Sequence, residues 1–216
     1  MISGLENLKG LDPERPTMAF SNHTNWWDGL IVFFLTRLAP KKDFYCMMEE
    51  KQLRHYKFFT WLGAFSIDLE NPIRAAASLR YATRLLKKKR NLLWIFPQGK
   101  LVNPYTPIQV ETGTHYLSQK VMQTQMLPVA FHYCFFREDR PHILIKIGKP
   151  FTALQSSQEK IQTAVQELVD SLHQAEKTGN LSEFTRAMTP RLAINKQWER
   201  VQLIFRGRWR EFQPNN

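Results

Sequence analysis

The sequence predicts an α/β fold: a three-layer single domain, with a largely parallel sheet flanked by helices and a C-terminal amphipathic helix added. Three observations predict it. Short apolar runs of strand length alternate with helix-patterned stretches through most of the chain. The run at 91–96 is a fully apolar strand that ends in Pro97-Gln98-Gly99-Lys100, and an open α/β sheet places its site at such a strand end. At 216 residues, with 43% hydrophobic and 12% aromatic side chains, the chain suits one domain with a sizeable core and not a disordered segment. Residues 1–180 are assigned to this domain and 181–216 to a basic, helical tail packed on the domain or on a membrane.

The elements follow in order. Residues 1–16 are polar and turn-rich, with Pro13 and Pro16. Residues 17–22 read as a strand, and 25–38 as a helix stopped by Pro40. A strand at 44–48 leads into a helix at 50–62 that is rich in bases and aromatics, including Lys51, Arg54, Lys57, Phe58 and Trp61. A strand at 64–68 precedes Asn71-Pro72, which opens a helix with proline in its favoured first position. After the strand at 91–96, Pro104 and Pro107 mark 100–110 as an irregular loop. A helix at 114–124 and strands at 126–136 and 142–147 follow. Residues 157–176 form a helix with Ile161, Val165, Leu168, Val169 and Leu172 on one face. In the tail, Ile194, Trp198, Val201, Phe205, Trp209 and Phe212 recur at spacings of three and four, with Lys196, Arg200, Arg206, Arg208 and Arg210 interleaved. That pattern suits a membrane interface, and equally a face packed on the core with a solvated arginine rim.

Lysine and arginine outnumber acids 30 to 19, a net charge of +11, so an anionic partner is expected: a membrane surface, a nucleic acid or an acidic ligand. The excess is concentrated between Asn71 and Val110, which holds eight basic residues and no acid. A nucleic-acid module is disfavoured because the aromatics cluster in apolar segments and no nucleic-acid-binding motif is visible. Cys46 and Cys134 stand apart in apolar surroundings, outside any Cys-x-x-Cys or Cys/His metal pattern, and read as buried and reduced. No metal site is expected. No cleavable signal pattern is visible at the start. No apolar run reaches the ~18 residues of a spanning helix. The chain is therefore expected in the cytoplasm, peripheral on a membrane.

Two stretches carry chemistry. Asn22-His23-Thr24-Asn25-Trp26-Trp27-Asp28 lies between a strand end and an apolar helix, where a reactive pair can be held rigidly. On one regular helix His23 and Asp28 would point about 140° apart, so they meet only if the chain bends between them. Asn25 as N-cap supplies that bend and places Asp28 in the first turn. A carboxylate on the far nitrogen of an imidazole fixes its tautomer and lets it take a proton from a hydroxyl. The plain alternative is a first-turn acid favoured by the helix dipole beside a merely hydrogen-bonded histidine. The second stretch, Phe96-Pro97-Gln98-Gly99-Lys100, is a strand-end turn whose backbone N–H groups can receive an oxyanion or a phosphate. It lacks the glycine spacing of a P-loop, and no Gly-x-Ser-x-Gly elbow exists.

In combination and order these stretches resemble the glycerolipid acyltransferase superfamily of lysophospholipid and glycerol-phosphate acyltransferases. The family's Asn-His-x4-Asp block matches Asn22, His23 and Asp28. Its second block matches Gly63-Ala64-Phe65-Ser66-Ile67-Asp68, its third Phe96-Pro97-Gln98-Gly99-Lys100-Leu101, and its fourth Leu127-Pro128-Val129. The resemblance implies an O-acyltransferase that uses no cofactor. His23 would be the general base and Asp28 its orienting partner. An acyl-coenzyme A or acyl-carrier protein would be the donor, and a lipid hydroxyl the acceptor. Asn22, Arg74, Phe96, Pro97, Gln98, Gly99 and Lys100 would bind the substrates.

The departures from the family concern the acceptor. Leu69 and Leu101 stand where the family has arginines that hold the acceptor's phosphate, and Gln98 stands where it has a glutamate. Lys100 or Arg74 would have to substitute; otherwise the acceptor lacks a phosphate, as a glycolipid or glycosylated terpenoid does. The family's usual N-terminal membrane helices have no counterpart, so the stretch 51–61 and the tail would serve as peripheral contacts. A catalytically weak lipid-binding protein on the same fold is the competing reading.

Overall fold

The computed structural model describes residues 1–136 and 141–188. Its strands are β1 (Ile2–Ser3), β2 (Thr17–Ser21), β3 (Asp43–Glu49), β4 (Ala64–Ile67), β5 (Asn91–Ile95), β6 (Gln125–Cys134), β7 (His142–Ile147) and β8 (Phe151–Thr152). They form one sheet in the order β1-β7-β6-β2-β5-β3-β4, with β8 paired to the start of β6. β6, β2, β5, β3 and β4 run parallel to their neighbours in that order, while β7 and β8 are antiparallel to β6. β2 and β5 are buried along their whole length, which explains their unbroken apolar pattern.

The helices are α1 (Leu5–Lys9), α2 (Asp28–Thr36), α3 (Glu50–His55), α4 (Phe58–Trp61), α5 (Pro72–Leu85), α6 (Thr112–Lys120) and α7 (Gln158–Thr178). Successive strand residues feed opposite faces of the sheet. Met18, Phe20, Leu93 and Ile95 pack with α5, α6 and α7, whereas Ala19, Leu92, Trp94 and Phe131 pack with α1 and α2. This gives the three layers and the mostly parallel sheet that the sequence predicts. Asn71-Pro72 opens α5 as read, with Asn71 accepting from the N–H groups of Ile73 and Arg74 and Pro72 at the first helical position, whereas Asn25 does not cap α2, whose N-cap is Trp27. Ser157 caps α7, which carries Ile161, Val165, Val169 and Leu172 into the core.

Four local expectations need correction. The segment 1–16 is not merely turns. β1 pairs with β7, and Leu8 of α1 is buried, but two strand residues and five helical ones are too few to show a period. α2 starts at Asp28, not at Asn25, because residues 24–28 form a turn around the Asp28 carboxylate. The helix expected at 50–62 breaks into α3 and α4 around Tyr56 and Lys57. The break brings Tyr56 and Phe59 against Trp26, at ring distances of 5.4 and 6.2 Å, so tertiary aromatic packing overrides local propensity. The described part of the tail holds a turn and an isolated bridge but no helix: Thr185 bridges Ile2, and Phe184 is buried in the core. The amphipathic pattern of 194–212 lies outside the described residues. Both cysteines are free and buried, and burial pushes the Cys46 thiol up to about 12 and that of Cys134 to about 11.

Candidate active site

β2 and its parallel neighbours deliver their following loops to the same end of the sheet, where an open α/β sheet gathers its functional groups. The backbone of β2 leaves the ladder after Ser21, but the side chain of Asn22 continues it. Its Nδ2 donates to the Phe131 carbonyl and its Oδ1 accepts from the Phe131 N–H, both at 2.8 Å. Asn22 is 2% exposed and lies outside the cavity wall. It fixes the point at which the chain turns toward His23.

The turn closes on Asp28, which is fully buried. Its Oδ2 accepts from the N–H groups of Thr24 (2.9 Å) and Asn25 (3.0 Å) and meets His23 Nδ1 at 2.8 Å. Its Oδ1 accepts from the Tyr133 hydroxyl at 2.5 Å. Burial first, and the Asp28 charge second, push the Tyr133 hydroxyl well above the ordinary tyrosine range, so it remains a donor. Because the other groups around the carboxylate can only donate to it, the His23 proton sits on Nδ1 and Nε2 is left as the acceptor nitrogen.

The turn after β5 holds His23 from the other side. Gln98 Oε1 accepts from the His23 N–H at 3.0 Å, and the Val102 N–H donates to the His23 carbonyl at 2.9 Å. The Phe96 ring stacks on the imidazole, with centroids 4.0 Å apart and planes at 18°. Gly99 adopts φ +68°, a left-handed turn residue that costs a side chain strain, and its N–H closes the turn onto the Phe96 carbonyl. Pro97 has no N–H to offer. Among the described residues, the N–H groups of Gln98 and Lys100 have no protein acceptor.

His23 opens onto a cavity of about 1020 Å³, at the upper end of the range for small-molecule sites. Its wall is mostly apolar, with Phe33, Phe44, Phe59, Leu62, Ala64 and Leu79 contributed by α2 through α5. Gly63, which leads into β4, has φ +92°, and a Cβ there would stand 2.3 Å from the Phe44 carbonyl oxygen, so the close approach beside this wall requires glycine. Phe96, Pro97, Gln98, Gly99 and Lys100 all border the cavity, as do Leu69 and Leu101. Its charged lining residues are Arg80 and Lys100 against Glu49 and Glu111.

Arg74 is not among them. Its guanidinium donates to both oxygens of Glu50 at 2.6 Å and lies 3.1 Å from Asp68. Hydrogen bonds from Arg74, and then from Arg54, hold the Glu50 carboxyl below its usual value. Sequence reasoning missed both this pairing and Tyr133. Alternation along β6 from Val129 does place 131 and 133 on the α2 face, so a signal for Tyr133 existed.

A family model described as Acyltransferase matches residues 2–132. The 1-acyl-sn-glycerol-3-phosphate acyltransferase of Saccharomyces cerevisiae is 23% identical over 185 residues, covering 79% of this chain. The chain spans only 57% of that relative's length. The crystal structure of the 1-acyl-sn-glycerophosphate (LPA) acyltransferase PlsC from Thermotoga maritima superposes with a TM-score of 0.57 at 18% identity, covering 80% of this chain and 71% of that one. That likeness supports the same fold. The segment that builds the His23–Asp28 turn and the wall of its cavity is the one the family model covers, over more than half the sequence, and the chain belongs to the acyltransferase family.

Proposed function

We propose that this chain transfers an acyl group from a thioester donor, acyl-coenzyme A or acyl-carrier protein, to a hydroxyl of a membrane lipid. The observation that carries the reading is the His23–Asp28 pair, with the free imidazole nitrogen at the edge of a large apolar cavity. Nε2 takes the proton of the acceptor hydroxyl, and the oxygen attacks the thioester carbonyl. The imidazolium is stabilised by Asp28, as in other histidine–carboxylate pairs. The N–H groups of Gln98 and Lys100, which have no protein acceptor among the described residues, would receive the developing oxyanion. Collapse breaks the carbon–sulfur bond, and the departing thiolate takes the proton from His23. The products are an ester and a thiol, with no acyl-enzyme. The apolar wall accommodates the acyl chain.

One set of observations favours an acceptor without a phosphate on its reacting unit. Leu69 and Leu101 border the cavity, Gln98 turns its carbonyl oxygen to His23, and Arg74 is held by Glu50 and Asp68. Lys100 and Arg80 are the cations left on the wall, opposed by two acids. A glycolipid or glycosylated terpenoid suits such a lining better than lysophosphatidic acid. The protein works at a membrane face in this reading. Trp27, Trp61 and Ile73 are 57, 88 and 80% exposed, in or next to segments that line the cavity, and Lys57 lies beside Phe58. Among the described residues no helix is long and apolar enough to cross a membrane.

The test is acyl transfer from labelled acyl-coenzyme A and acyl-carrier protein to lysophospholipids, monoacyl glycolipids and glycosylated terpenoids. His23→Ala is expected to lower the rate by about 10²–10⁴-fold. Transfer that survives this change overturns the base assignment. No transfer from either donor, with vesicle binding retained, favours the lipid-binding reading.

A further inference from the structure

β6 serves two sites on its two faces. Tyr133 reaches Asp28 on the α2 side, while His132 and Cys134, on either side of it, face α7. Opposite them, His173 and Glu176 are three residues apart and share one face of α7. Two positions of a strand and two of a helix thus bring nitrogen, sulfur and carboxylate donors together, away from the acyl-transfer site.

The distances suit a metal ion. His132 Nε2 stands 2.7 Å from Glu176 Oε2. One donor atom each from His132, Cys134 and Glu176 lies within 4.8 Å of the other two. Donors of a tetrahedral zinc ion lie about 2.0–2.3 Å from it, hence about 3.3–3.8 Å from one another, so adjustments of about 1 Å close the three around one ion. The His173 ring is 4.7 Å from that of His132. A second observation is independent of these distances. His132 Nδ1 and His173 Nε2 are both buried without a hydrogen-bond partner, and His132 is only 3% exposed. The His132–Glu176 pair leaves His173 Nε2 unsatisfied, which is costly in an interior, and an ion held through His132 Nε2 would take His173 Nε2 as a ligand.

We propose that His132, Cys134 and Glu176 bind a divalent transition-metal ion between β6 and α7, with His173 as the fourth donor. The mixed donor set suits zinc, with cobalt as its spectroscopic stand-in, and does not suit magnesium or calcium, which favour oxygen ligands. On binding, the Cys134 thiol loses its proton to solvent as the sulfur–metal bond forms, and no oxidation state changes. Four protein donors close the coordination sphere, so the ion ties helix to strand and performs no chemistry of its own.

The experiment is a titration of the reduced, metal-stripped full chain with cobalt, followed by competition with zinc. Stoichiometric binding with a thiolate-to-cobalt charge-transfer band is expected. Cys134→Ser should abolish the band and Cys46→Ser should keep it. His132→Ala, and on the more exposed helix Glu176→Gln and His173→Ala, should each weaken binding by about tenfold or more. Zinc should raise the melting temperature of the wild type and not of Cys134→Ser. The two α7 variants keep the test valid if His132→Ala fails to fold. Absence of the band, or a band that survives Cys134→Ser, overturns the site.

Discussion

Two histidine–carboxylate pairs of nearly equal length stand in this molecule, His23–Asp28 at 2.8 Å and His132–Glu176 at 2.7 Å. Their burial is inverted. The first has a 22% exposed imidazole on a fully buried carboxylate, the second a 3% exposed imidazole on a 31% exposed carboxylate. In the first pair the carboxylate is fixed by other donors and the ring borders the cavity, which under the proposed function leaves the ring free to exchange protons with a substrate. In the second the ring is locked between β6 and α7, and the carboxylate side meets water. Distance alone does not make a catalytic base; the surroundings decide which partner is available.

The largest expected effect is at Asp28. Asp28→Asn should lower the acyl-transfer rate by about 10²–10⁴-fold at nearly unchanged KM, because the ring loses its tautomer control and its counter-charge. A variant with near wild-type kcat would erase the distinction between the pairs. His132→Ala, measured by denaturant unfolding of metal-free protein, should cost about 2 kcal/mol through lost packing and the lost bond to Glu176. Tyr133→Phe should reduce kcat about tenfold, since it removes one donor from Asp28 and leaves the pair in contact.

The smallest effect concerns pH. The Tyr133 hydroxyl is raised in the folded state, so above the ordinary tyrosine value of about 10 the unfolded chain loses this proton while the folded chain keeps it. Stability must then fall as pH rises, by about 1.4 kcal/mol per unit from this group. Comparison of alkaline unfolding in wild type and Tyr133→Phe should show that slope in the first and its loss in the second.

The legibility of the two pairs differs for the same physical reason. His23 and Asp28 lie five residues apart on one turn, so local sequence carries both the pair and its geometry. Tyr133 is 105 residues from Asp28, and Glu176 is 44 from His132. Only the sheet order and the docking of α7 bring them together, and no short motif records either. The parallel core was readable because buried strands must be apolar throughout. The break between α3 and α4 was not, because it answers to Trp26 and not to its own residues. Arg74 shows how far charge alone can be read. Its sign was visible in the sequence, whereas its capture by Glu50 depends on how α3 and α5 approach each other.

Asn22 has a consequence for inheritance. Its amide must donate at one end and accept at the other to stand in for backbone against Phe131. Aspartate lacks the donor, serine lacks the reach, and glutamine overshoots the ladder spacing. On these bonds alone the position favours asparagine over its neighbours in size and polarity. Selection acting only on the shape of a strand end would keep it as fixed as a residue that takes part in the chemistry, and the asparagine and histidine would travel together through descent for unrelated reasons.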